Sequence, residues 1–258
     1  MNENAIEVAL ENFERISLDK LETAVLLQRK ETKYTCKLDD LPSFLAELND
    51  EFAVLQIAER RLMQYQTKYY DTPDFKTYFL HHGGRLDRFK IRTRMYLDSA
   101  ISFFEIKRKN NHLHTSKWRI PIEKSMLDSD CELFLNEKIG EKLIDYQPVL
   151  DVFYRRFTLV HKAIPVRLTF DYALRYTMEH NSCDFGDLVI IEVKKELKSG
   201  ITTLEHCMRK NGFVKGSLSK YCLGLVSLQP KLKYNRFKPK FEKIYKPFLN
   251  EYTTASDQ

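Results

Sequence analysis

Apolar residues Ile6, Leu10, Phe13 and Ile16, then Leu21 and Val25, recur every three or four positions, which predicts one or two amphipathic helices over residues 4–27. Residues 28–37 (QRKETKYTCK) alternate with a period of two, as a strand with one face in the core does. Asp39 or Asp40 then caps a helix that begins Leu41-Pro42 and runs to about Phe52, since proline is tolerated in a first turn. A strand over Met63 to Tyr70 follows. Asp71-Thr72-Pro73-Asp74 opens another capped helix, which Gly83-Gly84 stops. Three runs, 86–97, 101–110 and 114–123, are separated by short polar turns and have the spacing of an antiparallel meander. Residues 128–140 read as a helix ending at Gly140, and 150–161, 164–177 and 186–197 as strands. A helix from Thr202 to Asn211 stops at Gly212, and a short one follows Ser219. About eight strands with few helices, and no regular βαβ alternation, predict an α+β fold, an antiparallel eight-stranded β-barrel or strongly curved sheet with helices packed outside. A closed sheet of that size has room for a ligand.

The strand-like runs carry a second pattern. Arg92-Thr93-Arg94, Glu105-Ile106-Lys107, Lys117-Trp118-Arg119 and Glu192-Val193-Lys194 each set two charges two residues apart. Residues i and i+2 of a strand share a face, so each run puts its charges on one side. The other parity of the meander, Phe89, Ile91, Phe104, Ile106, Trp118 and Ile120, makes an apolar face that must pack against something. Exposed antiparallel strands also alternate, and cross-strand Glu and Lys pairs are common surface decoration. Four runs with one habit, in separate strands, favour a charged face that holds a polyanion.

Composition narrows the partner. The net charge is +6, but residues 229–258 carry +4 of it, so the body is nearly balanced and any polyanion site there comes from arrangement. The broad basic stripe of a nucleic-acid-binding protein is absent, and no nucleic acid partner is expected. Five cysteines, Cys36, Cys131, Cys183, Cys207 and Cys222, are widely spaced without a Cys-x-x-Cys pair, which argues against a disulfide framework or structural zinc. His81-His82 precedes the Gly-Gly turn and reads as a solvated helix end. No apolar run approaches the roughly 20 residues that cross a bilayer, and Met1 to Leu27 lacks a signal-peptide pattern, so a cytoplasmic protein is expected.

Arg offers a planar fork and Lys a point charge, so Arg92, Arg94, Lys107 and Lys117 together suit a chain of phosphates better than a single carboxylate ligand. Glu31, Glu105 and Glu192 each precede a lysine by two residues (Lys33, Lys107, Lys194). Each either neutralises that neighbour or offers a hard oxygen to Mg²⁺ or Mn²⁺, which take few carboxylates plus substrate oxygens. Glu192 is the polar member of an otherwise apolar run, Val189-Ile190-Ile191. Arg155 and Arg156 must point to opposite sides, Tyr154 lies two residues before Arg156, and Arg167, Thr169 and Asp171 share one face. Ser219-Lys220 opens a helix, where free amides, a hydroxyl and an ammonium favour an anion.

Taken in order, RKETKY (29–34), YYDTPDF (69–75), RFKIRTRMY (88–96), FFEIKRK (103–109), SKWRIPI (116–122), FYRR (153–156), VRLTFD (166–171), IIEVK (190–194) and SKYCLG (219–224) resemble the VTC domain, the polyphosphate polymerase domain of the vacuolar transporter chaperone complex and a branch of the CYTH and triphosphate tunnel superfamily. The resemblance implies an antiparallel β-barrel tunnel whose basic lining holds ATP and growing polyphosphate, with Mn²⁺ or Mg²⁺ as cofactor. Carried over motif by motif, Arg92, Arg94, Lys107, Arg156 and Arg167 are the catalytic cations. Lys33, Lys117, Tyr154, Ser219 and Lys220 are phosphate-binding, and Glu192 is the metal ligand. Tunnel triphosphatases of the superfamily carry Glu-x-Glu-x-Lys on the first strand, whereas this chain has Arg29-x-Glu31-x-Lys33. Exchanging a carboxylate for a cation moves the site from two-metal water activation towards gripping phosphate chains.

Three functions fit this lining: an ATP-dependent polyphosphate polymerase, a triphosphatase or polyphosphatase, and a non-catalytic polyphosphate-binding module. Three segments are expected, an amphipathic helical segment over 1–27, the tunnel domain over 28–228, and a basic aromatic tail over 229–258. In the tail, Tyr234, Phe237, Phe241, Tyr245, Phe248 and Tyr252 recur at helical spacing among lysines, with Pro239 and Pro247 interrupting any continuous helix. These aromatics either pack back on the barrel or dock on a membrane surface or protein partner.

Overall fold

The computed structural model describes residues 3–23, 29–111, 114–123, 126–196 and 202–252. Its strands are β1 (Glu14–Ile16), β2 (Arg29–Lys37), β3 (Phe52–Leu55), β4 (Met63–Asp71), β5 (Arg88–Tyr96), β6 (Ile101–Lys109), β7 (Thr115–Ile122), β8 (Gln147–His161), β9 (Val166–Met178), β10 (Asn181–Asp184), β11 (Leu188–Glu196), β12 (Val214–Gly216) and β13 (Asn250–Tyr252). The helices are α1 (Glu3–Glu11), α2 (Leu18–Thr23), α3 (Leu41–Ala46), α4 (Lys76–His82), α5 (Ser129–Ile139), α6 (Thr202–Lys210) and α7 (Lys220–Leu228), and short helical turns occupy residues 238–248. Eight of the strands are eight residues or longer, and they neighbour one another in the order β2-β11-β9-β8-β4-β5-β6-β7, with three-residue β12 added beside β2. The pairs β2–β11–β9 and β4–β5–β6–β7 are antiparallel. This is the eight-stranded antiparallel architecture with outside helices that the hydrophobic pattern predicts.

The chain forms two compact units. The first takes in Met1–Met63, Arg155–Leu174 and Phe185–Ser217, and the second Gln64–Tyr154, Arg175–Asp184 and Leu218–Gln258. In the first, the even-numbered residues of β2 and β9 and the odd-numbered residues of β11 point to one side. Tyr34, Cys36, Leu168, Phe170, Val189, Ile191 and Val193 there form a core with Ile6 and Leu10 of α1, Leu41, Phe44 and Leu45 of α3 and Met208 of α6. In the second, Ile91, Phe104 and Ile106 pack on Cys131 and Leu135 of α5, with Trp118 and Ile120 at the edge. Full burial of each large apolar side chain contributes about 2 kcal/mol. The Asp128 carboxylate caps α5 by accepting the Cys131 amide at 3.0 Å, and Gly140 closes it in the left-handed conformation.

Several elements depart from the pattern reading. The N-terminal helical run is broken by β1, which pairs in parallel with β3, and its predicted end at residues 24–27 lies outside the described residues. The helix from Leu41 ends at Ala46, and Phe52–Leu55 instead form buried β3, in which Phe52, Ala53 and Val54 pair with β8 (Phe52 opposite His161). Helix α4 starts at Lys76 with Asp71 serving it from a distance: the Asp71 carboxylate accepts the amides of Thr77 at 2.8 Å and Tyr78 at 3.0 Å. His82 is buried and stacks on Tyr78, and His81 Nδ1 lies 3.0 Å from Cys222 Sγ, so this helix end is packed and not solvated. In the tail, Phe241, Ile244 and Tyr245 are buried, and β13 pairs with β10.

Candidate functional site

The meander register decides which charges meet in the second unit. Arg92 lies opposite Glu105, and Glu105 opposite Arg119; Lys90 lies opposite Lys107, and Lys107 opposite Lys117. Directly opposed residues share a face. One face of β5–β7 therefore carries Arg88, Lys90, Arg92, Arg94, Lys107, Lys109, Lys117 and Arg119, eight cations against the single carboxylate Glu105. The opposite face is the apolar one under α5, so the strands cannot rotate to expose the charges to solvent without uncovering the core.

Glu105 is the hub. Its side chain is 1% exposed, and Arg92 Nη2 and Nε meet its Oε2 at 2.7 and 2.8 Å, with Arg94 Nη1 at 3.8 Å. Lys117 Nζ stands 2.6 Å from Oε1. Burial alone would raise the Glu105 pKa, but Arg92, Arg94 and Lys117 hold it well below the usual carboxylate range. Burial pulls the Lys117 ammonium down to about 8, with Glu105 opposing the shift and Arg92 and Arg94 adding to it. Arg94 Nε is buried without a hydrogen-bond acceptor. A buried guanidinium N–H in that condition costs free energy until an acceptor reaches it.

Aromatic rings border these cations. Arg92 donates to Tyr69 Oη at 3.3 Å and lies over the Tyr69 ring, and Arg94 lies over Tyr65. Tyr154 stacks on Tyr65 at 5.1 Å between centroids, and Lys220 Nζ sits 4.7 Å from the Tyr154 ring centroid. Ser219 is the N-cap of α7: its Oγ accepts the Cys222 amide at 3.2 Å, leaving the hydroxyl proton to donate elsewhere. Tyr221, the next residue but one, donates to the buried Asp71 carboxylate, which ties the start of α7 to the end of β4. Of the residues singled out from sequence, Arg92, Arg94, Lys107, Lys117, Tyr154, Ser219 and Lys220 thus belong to this unit.

Lys33, Arg156, Arg167 and Glu192 belong to the first unit. Glu192 lies opposite Lys33 on one side and Thr169 on the other, and Lys194 opposite Glu31 and Arg167. Lys194 Nζ meets Glu192 Oε1 at 2.7 Å and Lys33 Nζ meets Oε2 at 3.5 Å. Although burial would raise the Glu192 pKa, Lys194, Lys33 and Arg156 hold it well below the ordinary value. Arg156 makes a two-pronged pair with Asp171, Nε to Oδ1 at 2.5 Å and Nη2 to Oδ2 at 2.8 Å. This face alternates sign, with Lys33, Lys194, Arg156 and Arg167 beside Glu31, Glu192 and Asp171.

Among the described residues no three His, Cys, Asp or Glu side chains gather as a metal site. Glu192 offers one hard carboxylate, of a kind Mg²⁺ or Mn²⁺ take together with phosphate oxygens and water, and in this structure its two oxygens face Lys194 and Lys33. The sequence reading missed the hub role of Glu105 and the bond between Arg156 and Asp171. Both are cross-strand contacts. The available signal was that Glu105 is the one carboxylate of its parity in the meander.

A sheet face with this excess of cations, a buried donor lacking an acceptor and rings between the charges has the chemistry that suits phosphate-like anions. Residues 28–229 match the model of the VTC domain family, and the chain belongs to that family. Membership associates it with polyphosphate and triphosphate chemistry. No curated protein sequence matches the chain. Among solved structures, a Bacillus halodurans protein proposed to be an adenylate cyclase is 12% identical, with 75% of this chain and 96% of that one covered at a TM-score of 0.49. A Hippeastrum protein proposed to be an adenylyl cyclase, with a dominant triphosphatase activity, is 13% identical over 77% of this chain and 97% of that one, also at 0.49. The PH1819 protein of Pyrococcus horikoshii is 17% identical over 76% and 98%, at 0.43. Likenesses this distant say nothing of the substrate here.

Proposed function

We propose that the protein is a polyphosphate polymerase that transfers the γ-phosphoryl group of ATP to the end of an inorganic polyphosphate chain. The observation that carries this reading is the face of β5–β7, which holds eight cations and one carboxylate and where buried Arg94 keeps an N–H without an acceptor. In the reaction a terminal oxygen of the chain attacks the γ-phosphorus, the bond to the β–γ bridging oxygen breaks, and ADP leaves with the electron pair. No side-chain nucleophile is needed. Phosphoryl transfer depends on positioning and charge neutralisation, which fixed cations supply without reorganising during the step.

Arg92, Arg94 and Lys107 hold the reacting phosphates. Lys117, Lys220, Tyr154 and Ser219 grip flanking ones, Ser219 through the hydroxyl proton that its capping role leaves available. In the first unit, Lys33, Arg156 and Arg167 bind phosphate oxygens, and Glu192 is the ligand for Mn²⁺ or Mg²⁺. When bound, that ion supplies charge neutralisation between phosphate oxygens. Arg29 in place of a second carboxylate on β2 favours gripping a chain over activating water.

A time course with ATP and Mn²⁺, resolved on a gel, is expected to show a ladder of lengthening polyphosphate with ADP formed in step. Free phosphate without polymer overturns the polymerase reading in favour of a hydrolase. Salt-dependent polyphosphate binding without turnover overturns it in favour of a binding module.

A further inference from the structure

Seven cations lie in the sixteen residues from Lys231 to Lys246, with Glu242 the one carboxylate among them. Most apolar members of that stretch are at least half withdrawn from solvent. Phe241, Ile244 and Tyr245 are buried, and Tyr245 Oη accepts the Leu218 amide at 3.3 Å. Phe237 packs edge-on to Tyr78, His81 and His82, and Tyr78 Oη donates to the Lys233 carbonyl at 3.0 Å. Lys231, Lys233, Lys238, Lys240, Lys243 and Lys246 are all exposed, and Lys246 also pairs with Glu242 at 3.0 Å.

Arg236 joins this ridge to the charged face of the same unit. Its Nη1 donates to the carbonyls of His82, at 3.4 Å, and Gly83. The turn that follows leads to Arg85, whose carbonyl accepts Arg88 Nη1 at 2.6 Å, and Arg88 opens β5 on the cationic parity. Asp87, the carboxylate in this passage, is taken up by Arg108 at 2.7 Å. Positive charge therefore continues from the tail through Arg236, Arg85 and Arg88 to Lys90 and Arg92.

We infer that residues 231–246 form a second anion-binding surface, a docking ridge for long-chain inorganic polyphosphate outside the candidate site. The identity of the polyanion rests on the function proposed above. A segment that lies on a membrane keeps aromatic and aliphatic side chains available to enter the headgroup region. Here Phe241, Ile244 and Tyr245 are buried, Leu232, Tyr234 and Phe237 are half-buried, and the exposed positions are the seven cations with Asn235 and Pro239. A linear polyanion needs no more than that, because neutralising its charges releases counterions. The ridge holds the distal part of a chain whose end occupies the β5–β7 face.

The test uses the full chain with Lys231, Lys233, Lys238, Lys240 and Lys243 replaced together by serine, its melting temperature checked against the parent. Binding of labelled long-chain polyphosphate and of tripolyphosphate is measured over a range of salt. Long-chain affinity is expected to fall about tenfold or more, and the slope of log Kd against log salt to shrink by about 3.5, on the order of 0.7 for each of the five cations removed. Tripolyphosphate affinity stays unchanged. Unaltered long-chain affinity overturns the ridge, as does an equal loss for tripolyphosphate. Anionic vesicles that bind the parent and displace long-chain polyphosphate from the lysines assign the surface to lipid and also overturn it. The readout is binding, so a ridge that fails leaves the polymer assay standing, and an absent polymer ladder leaves the chain-length effect measurable.

Discussion

At the scale of single residues, Lys117 makes the site sensitive to pH in an accessible range. Its ammonium is pulled to about 8, first by burial, so as pH rises through that value the folded protein loses one phosphate-binding charge. Tripolyphosphate affinity is expected to fall about tenfold between pH 7 and 9, the worth of one charge-assisted hydrogen bond. Titration calorimetry on the parent and on Lys117→Met checks this: the variant lacks the extra pH dependence and approaches the parent at the alkaline end. Stability runs the other way. Between about 8 and the free-lysine value near 10.4 the unfolded chain binds a proton that the folded chain does not, so this group's destabilising effect fades as pH rises. Glu105 stays ionised throughout, being held well below the usual range by its three cations. The sequence displays Glu105 two residues from Lys107, and that spacing says they share a face. It does not say that Arg92 and Lys117 are the closer partners, because those contacts depend on the register between strands, in which Arg92 falls opposite Glu105 and Lys117 opposite Lys107.

Among the elements, α7 lies in close contact with its neighbours at Gly224. A Cβ added at Gly224 would meet the Tyr176 ring and lie 2.7 Å from Leu150 Cδ2, so the helix approaches β8 and β9 more closely than any side chain allows. Gly224→Ala is expected to cost about 1–3 kcal/mol in urea unfolding and to weaken tripolyphosphate binding, since Ser219 and Lys220 shift with the helix start. Unchanged stability would mean that Leu150 and Tyr176 yield without moving α7. The long strands and capped helices were legible because period-two runs and cap residues announce themselves over many positions. Strands β3, β10 and β13 were not, being three or four residues long and formed by pairing partners distant in sequence. Asp71 was recognisable as a helix-start residue, but its reach to Thr77, Tyr78 and Tyr221 depends on tertiary packing.

For the whole molecule, the two units carry charged faces of different character, one rich in cations and one alternating in sign. Their proposed tasks are therefore separable by mutation. Glu192→Gln is expected to lower Mn²⁺-dependent turnover about a hundredfold or more, as loss of a preorganised electrostatic group does, with metal-free tripolyphosphate affinity nearly unchanged. Arg92→Ala is expected to weaken that metal-free binding about tenfold or more. Full turnover in Glu192→Gln at ordinary Mn²⁺ would remove Glu192 as the metal ligand. The tail illustrates how far sequence carries at this scale: its aromatic spacing left packing on the protein and docking on a membrane or partner both open, because the surface that Phe237 meets, Tyr78 with His81 and His82, is more than 150 residues away. The strict alternation of β5–β7 also bears on how such a protein changes over generations. Substitutions of outer cations at one parity, such as Arg119, alter what is held without touching the layer under α5, whereas the buried carboxylate Glu105 and its partners Arg92 and Arg94 can be exchanged only together.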